Sequence, residues 1–161
     1  MTKSNGNIHA TMDSPAGRLL LVGRESATGV ELDSVSFTTE HDPRGSAAFG
    51  HVQRQLAAYF VGELTRFDVP HTERGTEFQR RVWAAVDAIP YGTTISYGEL
   101  ARRVGAPRER VRAVAAAVGA NPLLVVRPCH RVIGADGSLT GYAGGVPRKE
   151  FLLALEGVLV S

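Results

Sequence analysis

Apolar and polar positions alternate only near the start of the chain. Residues 8–14 and 18–23 are short, partly alternating runs separated by Ser14-Pro15-Ala16-Gly17. Pro and Gly there mark a turn, so the two runs predict a β-hairpin, with a third strand over 30–37. The stretch His41-Asp42-Pro43-Arg44-Gly45 reads as a loop. Beyond it the period changes: Phe49, Val52, Leu56, Tyr59 and Phe60 recur at three- and four-residue spacing, the mark of an amphipathic helix over 46–62. Residues 63–75 lack either period and form a connector.

The remainder predicts helices. Phe78, Val82, Trp83 and Val86 share one face of a helix over 76–88, with Thr76 as its cap, and Ile89-Pro90-Tyr91-Gly92 ends it. A helix over 96–104 starts on Ser96, with Glu99 placed to complete a capping box. Gly105-Ala106-Pro107 turns the chain into a third helix over 108–118. Two short helices joined by such a turn have the shape of a helix-turn-helix, although αα-hairpins without nucleic acid share it. The third helix is slim, with alanines around the long cation of Arg112; Arg110 and Arg112 face different directions and do not share a role. Leu123–Val126 is an apolar run that predicts a buried strand, and a last helix covers 148–156.

Composition narrows the class. The chain has 161 residues, 43% of them apolar and 21% charged, which fits a globular protein of one domain or two small ones. No apolar run reaches the ~20 residues that span a membrane, and the polar N-terminus has no apolar signal core behind it. The net charge of +2 is unevenly spread: residues 1–73 carry −3 and residues 74–161 carry +5, nearly all of it arginine. A basic half beside an acidic one suggests that one half meets a polyanion. A single cysteine excludes an intramolecular disulfide and a cysteine-built zinc site, and it suits a reducing, cytoplasmic setting. His9, His41, His51 and His71 are scattered without ligand spacing, so no metal and no cofactor are expected.

The chemistry concentrates around Cys129. A thiol is a nucleophile only as thiolate, and a free thiol with its pKa of ~8.5 is mostly protonated at neutral pH. His130 is the nearest base, and Glu156 in the last helix is a carboxylate that could orient it. A lone cysteine is also often a small buried hydrophobe. On these residues alone, three readings stand open: a nucleophilic acceptor thiol, a winged-helix DNA-binding regulator or sensor with a structural or redox-sensing thiol, and a cysteine hydrolase.

Pro128-Cys129-His130-Arg131-Val132 resembles the active-site motif of the methylated-DNA–protein-cysteine methyltransferases, the O6-alkylguanine-DNA alkyltransferases. Phe78-Gln79-x-x-Val82-Trp83, Ile89-Pro90-x-Gly92, Ser96-Tyr97-x-x-Leu100-Ala101, Arg112-Ala113-Val114, Asn121-Pro122, Gly141-Tyr142-x-Gly144-Gly145 and Lys149-x-x-Leu152-Leu153-x-x-Glu156-Gly157 follow the family's order and approximate spacing. The first third resembles the family more weakly, through Ser14-Pro15-x-Gly17 and Tyr59-Phe60-x-Gly62. The resemblance implies an α+β fold. An N-terminal antiparallel sheet plus helix, ribonuclease-H-like and covering 1–73, would pack on a helical, winged helix-turn-helix-like domain over 74–161.

It also implies roles. Cys129 would take the alkyl group from O6-alkylguanine, and from O4-alkylthymine, in double-stranded DNA. His130 would accept the thiol proton through a water, polarised by Glu156, with Asn121 as the hinge asparagine. Tyr97 would help turn the nucleotide out and protonate the departing base, and Arg112 would fill the gap the base leaves. Ser96, Tyr97, Gly98, Arg112 and Ala113 would meet DNA, and Val132, Tyr142, Ala143 and Gly144 would line the base pocket. The resemblance implies single use, a monomer that could act cooperatively on DNA, and no membrane association. Ala115 and Val118 depart from the glycine and asparagine common at these positions, and the zinc ligands of some relatives are absent.

Overall fold

A computed structural model describes residues 7–27 and 29–158. The polar N-terminal stretch 1–6, residue 28 and residues 159–161 lie outside the described residues. The chain divides into two compact units, Met1–Thr72 and Glu73–Ser161.

In the first unit, β1 (Ile8–Met12), β2 (Leu19–Ser26) and β3 (Gly29–Phe37) form an antiparallel sheet in the order β1-β2-β3. The hairpin turn closes where Pro15 and Gly17 predict, through Ser14 N–H to Gly17 O and Gly17 N–H to Ser14 O. Leu19, Leu21, Leu32 and Val35 are buried on one face. The period-3.6 stretch becomes a short 3-10 turn, Ala47–Phe49, capped by Ser46 and running into α1 (Gly50–Phe60). Phe49, Val52, Leu56, Tyr59 and Phe60 are its buried residues, the same five that the spacing selects. The connector is not wholly irregular, since His71 bridges to Leu32 in parallel register.

The second unit holds α2 (Glu77–Asp87), β4 (Ile95–Ser96), α3 (Tyr97–Arg103), α4 (Val111–Gly119), β5 (Val132–Ile133) and α5 (Val146–Leu155). Thr76 and Gln79 form a reciprocal capping box at the start of α2. At α3 only half of the expected box forms. Ser96 Oγ accepts from Glu99 N–H, but the Glu99 carboxylate turns outward to Arg102 and Arg103, which offer it charge. Residues Arg108–Arg110 make a 3-10 turn, so the third helix proper begins at Val111. The two-residue strands β4 and β5 pair in parallel, a contact that segments of two residues are too short to foretell.

The strand expected over 123–126 is absent. The chain there is a tight turn: Val126 N–H bonds Leu124 O and Arg127 N–H bonds Leu123 O, with Val125 at φ 71°. Leu123, Leu124 and Val125 are buried all the same, because the turn lies inside the unit's core. An apolar run reports burial, and here the N–H groups of Val126 and Arg127 find their partners inside the turn rather than on a strand.

Candidate active site

The turn that replaces the predicted strand delivers Cys129. Asn121 organises it: its Oδ1 accepts Leu123 N–H at 2.9 Å, and its Nδ2 faces the carbonyls of Leu123 and Arg127 and reaches Cys129 Sγ at 3.0 Å. Cys129 opens a 3-10 turn, Cys129–Arg131, with its N–H on Arg127 O at 2.7 Å. The thiol is 4% exposed. Burial pushes it up to about 11, although the Asn121 amide, Lys149, its own backbone N–H and Arg127 all act to lower it. At neutral pH the resting residue is therefore a thiol.

His130 and Glu156 are both buried and bonded, Nε2 to Oε2 at 2.7 Å. Glu156 stands just past the end of α5, as its C-cap, rather than within the helix. Arg131 donates to the same carboxylate as a fork, Nε to Oε1 at 2.8 Å and Nη2 to Oε2 at 3.0 Å, and its Nη1 donates to Ile89 O. Gly92 N–H adds a longer bond to Oε1. The carboxylate charge is thus met by Arg131, and a protonated His130 would add a second positive charge to a closed site. Burial accordingly holds the imidazole below its usual range, with Glu156 pulling the other way. Because a carboxylate only accepts, Nε2 carries the proton and Nδ1 keeps its lone pair. Among the described residues no group bonds His130 Nδ1, and the direct partner of the thiol is Asn121, not His130.

Lys149 is fully buried on α5, donating to Val132 O at 2.6 Å and Thr140 O at 3.0 Å, with its ammonium 5.8 Å from the Tyr97 ring centre. Burial brings it down to about 8, against the opposing pull of Cys129. Tyr97 leads α3 and donates to Thr140 O at 3.2 Å. Burial first, and then Cys129, raise its pKa, so it remains a proton donor. Tyr142 is held further up by burial and then by Cys129, and its ring meets His130 edge-on. Sequence reasoning passed over Arg131, Lys149 and Arg127 as site residues; the signal was present, because Arg131 and Lys149 stand inside motifs already singled out.

A cleft of about 550 Å³ is lined by Arg112, Ala115 and Ala143 among others, together with Tyr97 and Tyr142, the two tyrosines whose pKa Cys129 raises. Arg112 is exposed on α4 and makes no hydrogen bond or ion pair among the described residues. Arg110 instead lies over the Phe78 ring, so the two arginines do part company. Ser96, Tyr97 and Gly98 line a second groove of about 610 Å³ between α3 and the start of α4, flanked by Arg102 and Arg108. Ala113 is half-buried on α4, and Gly144 lies in the loop before α5. Val132 is fully buried and lines neither cleft; its carbonyl is taken by Lys149. No group of three or more His, Cys, Asp or Glu able to hold a metal occurs among the described residues. No helix among them is long and apolar enough to cross a membrane.

Two family models match the chain: 6-O-methylguanine DNA methyltransferase, DNA binding domain, over residues 77–158, and 6-O-methylguanine DNA methyltransferase, ribonuclease-like domain, over residues 7–71. A methylated-DNA–protein-cysteine methyltransferase of Mycolicibacterium paratuberculosis is 53% identical over 152 residues, covering 92% of this chain and 91% of that one. A protein of the same name from Methanosarcina acetivorans is 46% identical over 157 residues, covering 92% and 97%. The crystal structure of Mycobacterium tuberculosis OGT in complex with DNA aligns with TM-score 0.81 at 48% identity, covering 92% of this chain and 91% of that one.

Proposed function

The chain belongs to the 6-O-methylguanine DNA methyltransferase family, and from that premise we propose that it repairs DNA by moving the alkyl group of O6-alkylguanine onto Cys129. The observation that carries the assignment to Cys129 is the thiol's setting. It is bonded to Asn121, it follows a turn next to a buried His130–Glu156 pair, and the two tyrosines that sense its charge both line the open cleft.

The step balances as a displacement. The Cys129 proton passes to His130, whose Nδ1 lone pair is available, through a bridging water. Sγ then attacks the alkyl carbon, the S–C bond forms, the C–O6 bond breaks, and its electron pair goes to the guanine. Tyr97, kept protonated by its surroundings, gives a proton to the leaving base. Because the thiol rests protonated, nucleophile activation belongs to the substrate complex. The product is a thioether, and no group among the described residues is placed to cleave it, so each molecule acts once. O4-alkylthymine fits the same displacement.

Double-stranded DNA meets the α3–α4 face through Ser96, Gly98, Ala113 and the exposed arginines, and Arg112 takes the place of the extruded base. The base then lies against Tyr142, Ala143 and Gly144. A cytoplasmic monomer, able to bind DNA cooperatively, belongs to the same reading. The test is repair against excess duplex containing O6-methylguanine. The expected result is a plateau near one methyl group per protein, with Cys129→Ser binding the duplex but transferring nothing. Continued linear turnover, or methylation of the serine variant, would refute it.

A further inference from the structure

Arg127 precedes the nucleophile by two residues, and its side chain is only 3% exposed. A buried guanidinium is tolerated only where its charge and donors are met. Here Nε donates to Asp87 Oδ1 at 3.2 Å, Nη2 lies 4.0 Å from Glu73 Oε1, and the guanidinium sits 5.1 Å from the centre of the Trp83 ring. Positions 83 and 87 are one turn apart on α2, so a single helix face supplies both the stack and the ion pair. Trp83 is itself fixed. Its indole N–H donates to Ala117 O on α4 at 2.8 Å, and at Gly75 (φ +137°) a Cβ would come within 2.7 Å of the ring.

The main chain of Arg127 does the other half of the work. Its carbonyl accepts Cys129 N–H at 2.7 Å and Asn121 Nδ2 at 3.3 Å. That Asn121 nitrogen is the one that reaches Sγ at 3.0 Å. The side chain anchors the residue to α2 while the carbonyl sets the two groups that define the thiol's position. Arg127 lines neither cleft, so nothing places it on the substrate.

We infer that Arg127 is a positioning residue for alkyl transfer: its stack on Trp83 and ion pair with Asp87 hold the turn whose carbonyl orients Asn121 and Cys129. This rests on the alkyl-transfer reading above. The guanidinium also holds the thiol down slightly, alongside Asn121 and Lys149. The other titratable groups around the thiol are Tyr97 from α3, Tyr142 from the loop before α5, Lys149 from α5 and the adjoining His130, and all of them stay in place in the variants below.

The experiment compares wild type, Arg127→Met and Arg127→Lys. Three quantities are measured: duplex affinity with its salt slope, single-turnover transfer at saturating O6-methylguanine duplex, and reaction with free O6-benzylguanine across pH. Arg127→Met should keep wild-type affinity and salt slope yet transfer roughly tenfold to a hundredfold more slowly with both substrates, as expected for a misplaced reacting group. Its free-base pH profile should move to higher pH, and Arg127→Lys should recover part of the rate. A wild-type rate and profile in Arg127→Met would overturn the inference, as would a loss confined to duplex affinity. If Arg127→Met does not fold, Asp87→Asn loosens the anchor at a 44% exposed carboxylate while keeping the cation. It should slow transfer without changing duplex affinity, and an unchanged rate would overturn the inference equally. Failure of the wild type itself to transfer would instead reject the proposed function.

Discussion

Glu156→Gln removes one charge from a fully buried cluster of charged groups. The carboxylate takes two bonds from Arg131, one from His130 and one from Gly92 N–H, and its side chain is 0% exposed. Glutamine keeps the shape but not the charge, and it offers one acceptor oxygen and an amide that faces the guanidinium donors. Arg131 is then a buried cation without its counter-charge, keeping its bond to Ile89 O, its approach to the Tyr91 ring and at most one of its two bonds to residue 156. Breaking one side of a buried pair typically costs about 3–5 kcal/mol. For a chain of this length each kcal/mol lowers Tm by roughly 2–4 °C, so the expected fall is about 6–20 °C. Thermal unfolding followed by circular dichroism reads it. The pairing argument also predicts that Glu156→Gln combined with Arg131→Met is more stable than Glu156→Gln alone, since the second change removes the stranded charge. A Tm within about 2 °C of wild type for Glu156→Gln, or a double variant less stable than the single, would refute the reasoning.

Arg112→Ala should slow repair of saturating duplex strongly while sparing free O6-benzylguanine, because only the duplex requires extrusion. An unchanged salt slope with a lower saturated rate marks the finger; a normal rate with a slope reduced by about one marks a phosphate contact. In the protein alone, alkylation of Cys129 by iodoacetamide should rise about tenfold per pH unit between pH 8 and 10, since the thiol titrates about 11. Levelling off near pH 8.5, as an ordinary thiol does, would contradict its burial.

Local signals made much of the fold readable. Ser14-Pro15-Ala16-Gly17 formed its hairpin because Pro locks φ and Gly17 admits the positive φ of 129°, and the five apolar residues of the 3-10 turn and α1 became one buried face because a period of 3.6 leaves few other arrangements. Residues 123–126 misled because apolar content reports burial, and the turn there depends on Asn121, whose side-chain bonds no period encodes. Glu99 misled because a capping box competes with ion pairs, and Arg102 and Arg103 won. At the site, Cys129, His130 and Glu156 were nameable from the motifs. The neutralising fork of Arg131, the buried ammonium of Lys149 and the hold of Arg127 on α2 were not, since each is a contact between distant segments.

The most direct measurement is the intact mass of the protein after incubation with an equimolar duplex carrying O6-methylguanine, followed by peptide mapping and analysis of the DNA. The account predicts a gain of one methylene, confined to the peptide that contains Cys129, with unmodified guanine left in the duplex. An unchanged protein mass while the lesion disappears, or a methyl group on any other residue, would contradict it.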